Sequence, residues 1–479
     1  MFYGATKFNG AVNFNTSQVV NMSGMFSGAS AFNQPVNFNA SSLKTIQNMF
    51  YDASNFNQPV TLNNSNTLNN TQGMFMFAKK FNNTLTLNTS SVTTMENMFA
   101  YASAFNQPVN FNSSSLKTTE RMFYKATSFN SEIILDTSNV TNMSSMFEEA
   151  TAFNQPINFN SSSLKTTEKM FYKATSFNSE IILDTSQVTN MSSMFQHAHN
   201  FNQPVNFDTS QVTSMSYMLA SAYVFNQPIN FDTSNVVNMS GMFFGAYAFN
   251  QSVSALDVSQ VTNMTEMFGY AYAFNQPINF NSSSLKTTEK MFYKATSFNS
   301  EIILDTSQVT NMKSMFEEAT AFNQPINFNS SQVTNMAWMF YEATSFNSEI
   351  ILDTSNVTDM SSVFHRAYAF NQDLSNWDFS KTTSLWFFAG DSGLSTKNYD
   401  KLLKKWYTQL KDINYYYNGV YMKPLTYCKA EAEREYLGKS IEEGGAGWEL
   451  IDDGKNCEEY NLPPEDVLIS NHFVEENKP

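Results

Sequence analysis

The sequence predicts an α/β repeat solenoid, a stack of 24-residue units each built from a short parallel strand, a turn and a short helical segment. Three observations predict it. The pair Phe-Asn recurs in register sixteen times from Phe8 to Phe370, at a spacing of 24 except for two steps of 25, at 56–81 and 249–274. A fixed period in this range marks an architecture of stacked units. Residues 153–191 return letter for letter at 274–312, and 105–143 differ from them at three positions. Within each unit, finally, the apolar residues change their period from two to about 3.6.

The unit spanning residues 129–150 shows each element in turn. Ile133 and Leu135 alternate with their neighbours, as Val36 and Phe38 do in FNQPVNFN, which reads as a half-buried strand. Asp or Asn followed by Thr-Ser then supplies a turn, because these side chains bond nearby backbone amides. After Val140, the residues Met143, Met146, Phe147 and Ala150 fall at i, i+3, i+4 and i+7, the apolar face expected of a brief helix. Both 25-residue units place their extra residue between the strand and this Val or Leu, in TLNNSNTL and SVSALDVSQV, where a turn absorbs it.

One such unit cannot fold alone. About seven apolar groups at ~1.5–3 kcal/mol apiece face a backbone ordering cost of ~1–2 kcal/mol for every residue. Stacking buries both sides of the apolar layer, so the array is stable only collectively. A copied block then fits wherever it is inserted in phase. The recurring Asn of Phe-Asn is expected to bond backbone groups at a bend and form an amide ladder; a line of amides binding a ligand is the alternative.

Composition narrows the function classes. The chain has 479 residues, with 27 basic against 42 acidic side chains and a net charge of −15. No Lys/Arg-rich run appears, which argues against nucleic acid, where neutralised phosphates dominate affinity. No apolar run approaches the ~18 residues of a membrane span, so no membrane insertion is expected. Over residues 1–390 there are 16 basic and 25 acidic side chains, and Asn, Ser and Thr carry most of the polarity, as suits a hydrated surface outside a cell. Met1-Phe2 lies one period before Met25-Phe26, so the chain opens mid-repeat and reads as a fragment of a longer protein. The lack of a signal peptide is then uninformative about export.

The repeat FNQPxNFxTSxVTNMSxMFxxA, clearest in 201–222 and 225–246, closely resembles the BspA-like leucine-rich-repeat surface proteins. Residues 370–378, FNQDLSNWD, match that family's strand better than most units, where Phe replaces the Trp of Asn-Trp-Asp. The resemblance implies a leucine-rich-repeat-like solenoid at the cell surface, often proposed to act in adhesion. It extends to GLSTKNYDKLLKKWYTQL, TYCKAEAEREYL and GWELIDDGKNC, an order typical of the region that closes these arrays. The expected domains are therefore a solenoid over 1–390, a C-terminal cap over 391–460 and a linker or domain start over 461–479. Tyr399, Leu402, Leu403, Trp406 and Leu410 form one helical stripe with Ser395 or Thr396 placed to cap it, and a second helix is expected at 430–437. Such a cap covers the last rung, because a bare strand edge invites aggregation. In an exported protein the two cysteines, Cys428 and Cys457, most simply form a disulfide; two free thiols are the alternative. The ending NLPPEDVLISNHFVEENKP resembles the opening strand of cadherin-like domains, which maps a calcium ligand to Glu476.

Catalytic chemistry is hard to find. His197 and His199 are two apart and do not share a helix face. No GxSxG, HExxH or glycine-rich phosphate loop is present. The pairs Glu148-Glu149 and Glu317-Glu318 suggest a general acid and base, yet as neighbours in copied units they read as a solvated edge. No enzyme and no cofactor are expected; calcium is the candidate ion, while zinc is disfavoured because the two histidines lack acidic or sulfur partners and the two cysteines lack a nearby His. Asp136, Asp184, Asp208, Asp232, Asp257, Asp305 and Asp353 share one position after the strand, where calcium binding competes with turn capping, and Asn in the other units favours capping. Tyr223, Tyr247 and Tyr272 stand on three consecutive units, with Tyr368 further on. Sugar stacking on their faces competes with packing between rungs. The function expected is an adhesion or interaction module for an extracellular protein or glycan. A purely structural stalk is the alternative. An ice- or mineral-binding face is a third, weakened where Ile134, Ile182, Ile303 and Ile351 interrupt the polar outward row of Asn13, Asn37, Thr61, Thr86 and Asn110.

Overall fold

The computed structural model describes residues 1–412 and 415–461. The chain divides into two compact units, Met1–Gln251 with Ala255–Asp257, and Ser252–Ser254 with Val258 onward. Each is a parallel β-solenoid of 24-residue rungs with little helix. In the first unit one bridge column runs Asn21, Thr45, Asn70, Thr94, Thr118, Asn142, Thr166, Asn190, Ser214, Asn238. In the second the same column runs from Asn263 through Thr287, Asn311, Asn335 and Asp359 to Ser384. No described helix is long and apolar enough to cross a membrane.

Strands form where the alternating residues predict them, but not in every rung. The first unit has a three-stranded sheet of Val36–Ala40, Val60–Asn64 and Leu85–Thr86, then pairs Val109–Phe111 with Ile133–Leu135 and Ile157–Phe159 with Ile181–Leu183. The second pairs Ile278–Phe280 with Ile302–Leu304 and Ile326–Phe328 with Ile350–Leu352. Residues 205–207 and 229–231 carry the same pattern without strand pairing.

The helical segment expected in each unit is replaced by a run of tight turns, and the hydrogen bonds give the reason. In residues 143–153 alternate amides serve two partners. Met146 N donates to Met143 O at 3.2 Å, Glu148 N to Ser145 O at 3.1 Å and Ala150 N to Phe147 O at 3.0 Å. Between them Ser145 N donates to Glu168 O, Phe147 N to Met170 O and Glu149 N to Tyr172 O, at 2.7–2.8 Å, all in the next rung. Ser145 and Glu149 take φ of +58° and +56°, left-handed angles that end a helix wherever they occur. The i, i+3, i+4, i+7 spacing survives because successive i to i−3 turns also return a side chain to one side every three or four residues. Met143, Met146, Phe147 and Ala150 are all fully buried.

The core is two columns of stacked phenylalanines. Phe147 lies 4.1 Å from Phe153 within its rung, 5.4 Å from Phe171 in the next, and Phe153 lies 5.8 Å from Phe177. Ring planes stay within about 10° of parallel in these contacts, the offset geometry that suits aromatic quadrupoles.

A helical cap closes the second unit. Helix α1, Thr396–Leu410, starts at Ser395, whose side chain accepts from Asn398 N, and buries Tyr399, Leu402, Leu403, Trp406 and Leu410. Helix α2 is Glu431–Gly438. The last rung's amides find partners here: Phe387 N donates to Gly419 O and Asp391 N to Lys423 O, while Phe379 N donates to Gln409 Oε1 at 2.9 Å. Inside the cap, buried Asp400 accepts from the amides of Cys428, Lys429 and Ala430 at the start of α2 and from the Tyr460 hydroxyl. Arg434 and the Tyr399 hydroxyl both bond Asp452.

Candidate functional site

The polar residues that recur in every rung are engaged by neighbouring rungs. Within each unit the Asn of Phe-Asn accepts from the backbone amide of its counterpart one rung on, as in Asn130 N to Asn106 Oδ1 and Asn154 N to Asn130 Oδ1, both 2.8 Å. The ladder in the second unit ends on the cap, where Asn371 Oδ1 accepts from Ser395 N and from the Asn398 amide. Where the turn carries a buried Thr or Ser, its hydroxyl donates forward in the same way, Thr137 to Asn160 O and Ser161 to Asp184 O. These groups hold the stack and are not available to a ligand.

The aspartate row sits in the turns. Asp136, Asp184, Asp208 and Asp232 each accept, through one oxygen, both the amide and the hydroxyl of the serine two residues on. Asp305 and Asp353 accept the amide of Ser307 and Ser355. Hydrogen bonds from the serine side chain and then its backbone hold the carboxyls of Asp136, Asp208, Asp305 and Asp353 below the ordinary carboxylate range. The Asp257 carbonyl receives Thr233 Oγ1. Among the described residues no three His, Cys, Asp or Glu converge as a metal site. Cys428 and Cys457 are joined by a disulfide. Glu476 lies outside the described residues.

Tyr223 and Tyr247 stack face to face at 4.5 Å, and His199 stacks on Tyr223 at 4.2 Å. Their faces are therefore turned on one another along the rungs, leaving the ring edges to solvent, with Tyr247 40% exposed. Tyr272, in the second unit, meets Tyr270 edge-on at 6.1 Å, and Tyr368 is exposed. The part played by His199 was detectable: it stands 24 residues before Tyr223. Burial lowers the pKa of His197 and His199, with the neighbouring His199 and Lys173 charges adding to the effect at His197.

A second aromatic feature escaped the sequence reading. Lys125 Nζ lies 5.3 Å from both the Tyr101 and Tyr124 rings and 3.5 Å from Glu149. The arrangement recurs in the second unit, with Lys294 over Tyr270 and Tyr293 and 3.2 Å from Glu318. Burial, and then the bond with Tyr270, pushes Tyr293 up to about 12. Glu149 and Glu318 thus serve ion pairs across rungs. Glu317 is buried, and that burial raises its carboxyl pKa. A cleft of about 640 Å³ among Tyr3, Ser23, Gly24, Ser27, Gln47, Asn48 and Tyr51 offers hydroxyls and amides.

The family model described as "Mycoplasma protein of unknown function, DUF285" matches residues 1–87, 63–158, 132–183, 181–231, 229–326 and 303–406. Among solved structures, a leucine rich cell surface protein from Faecalibacterium prausnitzii A2-165 is similar at 16% identity, over 69% of this chain and 75% of that one, with a TM-score of 0.33. No curated protein matches the chain.

Proposed function

The chain belongs to the DUF285 family, and on that premise we propose that it is an extracellular, cell-surface interaction module whose lateral faces hold a protein or glycan partner. The observation that carries this reading is the division of labour among polar groups. Those that repeat in every rung bond the next rung, so partner choice falls to the outward side chains that change from rung to rung. Such residues are spread over extended faces, as suits binding better than catalysis. The resemblance to BspA-like surface proteins and an exterior whose polarity is carried mostly by Asn, Ser and Thr support the same reading. We read the protein as non-enzymatic.

A glycan array, in buffer with calcium, tests the proposal on the whole chain beside two variants, Tyr223→Ala/Tyr247→Ala in the first unit and Tyr272→Ala in the second. Selective retention by the parent is the expected result, and its loss in one of these variants places the contact on that unit, through the ring edges that the stacking leaves exposed. Retention that survives keeps the module and discards these tyrosines. If none of these proteins is retained on glycans, or on immobilised extracellular proteins run in parallel, the structural stalk becomes the better account. The uninterrupted ladders within each unit favour that second reading.

A further inference from the structure

The segment FNSEIILDTS occurs four times, at 129–138, 177–186, 298–307 and 346–355, always on alternate rungs with an Asn-bearing strand between. Its outward residues are Glu132, Ile134 and Asp136, then Glu180, Ile182 and Asp184, in the first unit. In the second they are Glu301, Ile303, Asp305 and Glu349, Ile351, Asp353. The four isoleucines are 49–53% exposed. None of the eight carboxylates joins an ion pair among the described residues; Lys381 lies near enough to Asp353 to favour its charged form. The aspartates also cap their own turns through one oxygen, but the half-exposed isoleucine between carboxylates without an ion-pair partner is a surface feature that the stacking does not use.

We propose that each of these two faces, one in each unit, seats a cationic amphipathic helix of a partner protein. Charge complementarity and dimensions select this occupant. Glu132 and Asp136 are four strand residues apart, about 13 Å, so the Glu and Asp columns form two acidic rails with the isoleucines midway. A helix with its side chains is about 10–12 Å across and lies between such rails, its flanking Lys or Arg reaching both. Ile134 pairs with Asn110 and Ile182 with Asn158; positions 134, 158 and 182 are successive 24-residue steps, so the isoleucines are two rungs apart. At ~4.8 Å per rung that is about 10 Å, close to the ~10.5 Å between residues i and i+7 of a helix. The partner therefore carries an aliphatic residue every seven positions, a small or polar residue over the intervening Asn158 or Asn327, and basic residues on both flanks. Strand addition does not compete, because this face presents side chains and the strand edges lie within the stack.

This rests on the interaction-module reading and names the partner for one of its faces. The test uses the full chain and synthetic helices of three heptads by fluorescence anisotropy. The probe is an Ala/Lys helix with Leu at every seventh position. Its controls are the same helix with Glu for Lys and the same helix with Ala for Leu. Saturable binding of the probe, weakened by salt and at least tenfold weaker for both controls, is the expected result. Ile134→Asn/Ile182→Asn/Ile303→Asn/Ile351→Asn, which installs the residue that neighbouring rungs already carry, is expected to lose at least tenfold with an unchanged circular dichroism spectrum. Should that variant fold poorly, Glu132→Gln/Glu180→Gln/Glu301→Gln/Glu349→Gln keeps the isoleucines, removes one of the two acidic rails and is expected to lose about half of the salt dependence. No saturable binding, equal affinity for the Lys and Glu helices, or an affinity unmoved by the substitutions overturns the inference. Glycan or protein retention that persists through such a failure leaves the interaction module standing, whereas failure of both removes it.

Discussion

Glu149, Ser193 and Lys294 hold φ of +56°, +57° and +57°, angles that cost a side-chain-bearing residue roughly 1–2 kcal/mol. Each pays this cost in exchange for a cross-rung bond: Ser193 N donates to Ser216 O at 2.8 Å, Glu149 N to Tyr172 O and Lys294 N to Glu317 O. Gly241, two rungs after Ser193, takes φ of +58° without a Cβ, and the Tyr217 ring leans into the space. Ser193→Gly is therefore expected to raise the unfolding free energy by roughly 0.5–1 kcal/mol, the relief of strain exceeding the added freedom of the unfolded chain. Ser192→Gly, one residue earlier, is expected to lower it, since glycine loses the Ser192 hydroxyl's bonds with the Ser214 and Ser216 hydroxyls and relieves no left-handed strain. Equilibrium denaturation of the two variants checks the sign at both positions. The Asp-Thr-Ser turn was legible from sequence because its side chains declare their bonding. The left-handed positions were not, because Glu, Lys, Tyr and His occupy them as well as Gly.

At the scale of the rung, sequence periodicity located the buried residues, and the pairing of rungs decided their backbone. Phe153 sits 4.1 Å from Phe147 and 5.8 Å from Phe129 and Phe177, so its removal leaves a hole that three rigid rings cannot close. Phe153→Ala is expected to cost about 3–5 kcal/mol, measured as the shift in denaturation midpoint at constant slope. The cap was legible as well: the stripe from Tyr399 to Leu410 lies on α1 as its spacing requires. The grip of Asp400 on three amides and Tyr460 was not, because those partners lie 28 to 60 residues away.

For the whole molecule, the governing fact is that interior rungs share nearly the same neighbours. Removal of residues 153–176, one full period within the first unit, brings Phe177 where Phe153 stood and keeps every column in register. That deletion is expected to retain the circular dichroism spectrum and a cooperative melt. Removal of 153–164, half a period, sets phenylalanine columns against turns and is expected to yield an unfolded or protease-sensitive chain. Equal behaviour of the two deletions would contradict the stacking described for this unit. The surface obeys no such rule. Aromatic rungs such as His199, Tyr223 and Tyr247, and the acidic isoleucine rungs, differ from their neighbours without disturbing the column beneath them.

Sequence by itself determined the period, the register, the buried columns and the Asp/Asn-Thr-Ser turn after each strand, because one 24-residue pattern repeated in phase leaves few ways to bury its phenylalanines and methionines. Tertiary structure alone decided that the Met-Phe segment is a chain of turns and not a helix. Both conformations set the same side chains on one side, and the choice is made by carbonyls of the next rung, which take alternate amides that a helix would keep for itself. It decided, for the same reason, that Tyr223 turns its faces to His199 and Tyr247: contacts between rungs join residues 24 apart, where local sequence carries no instruction about which way a ring will lie.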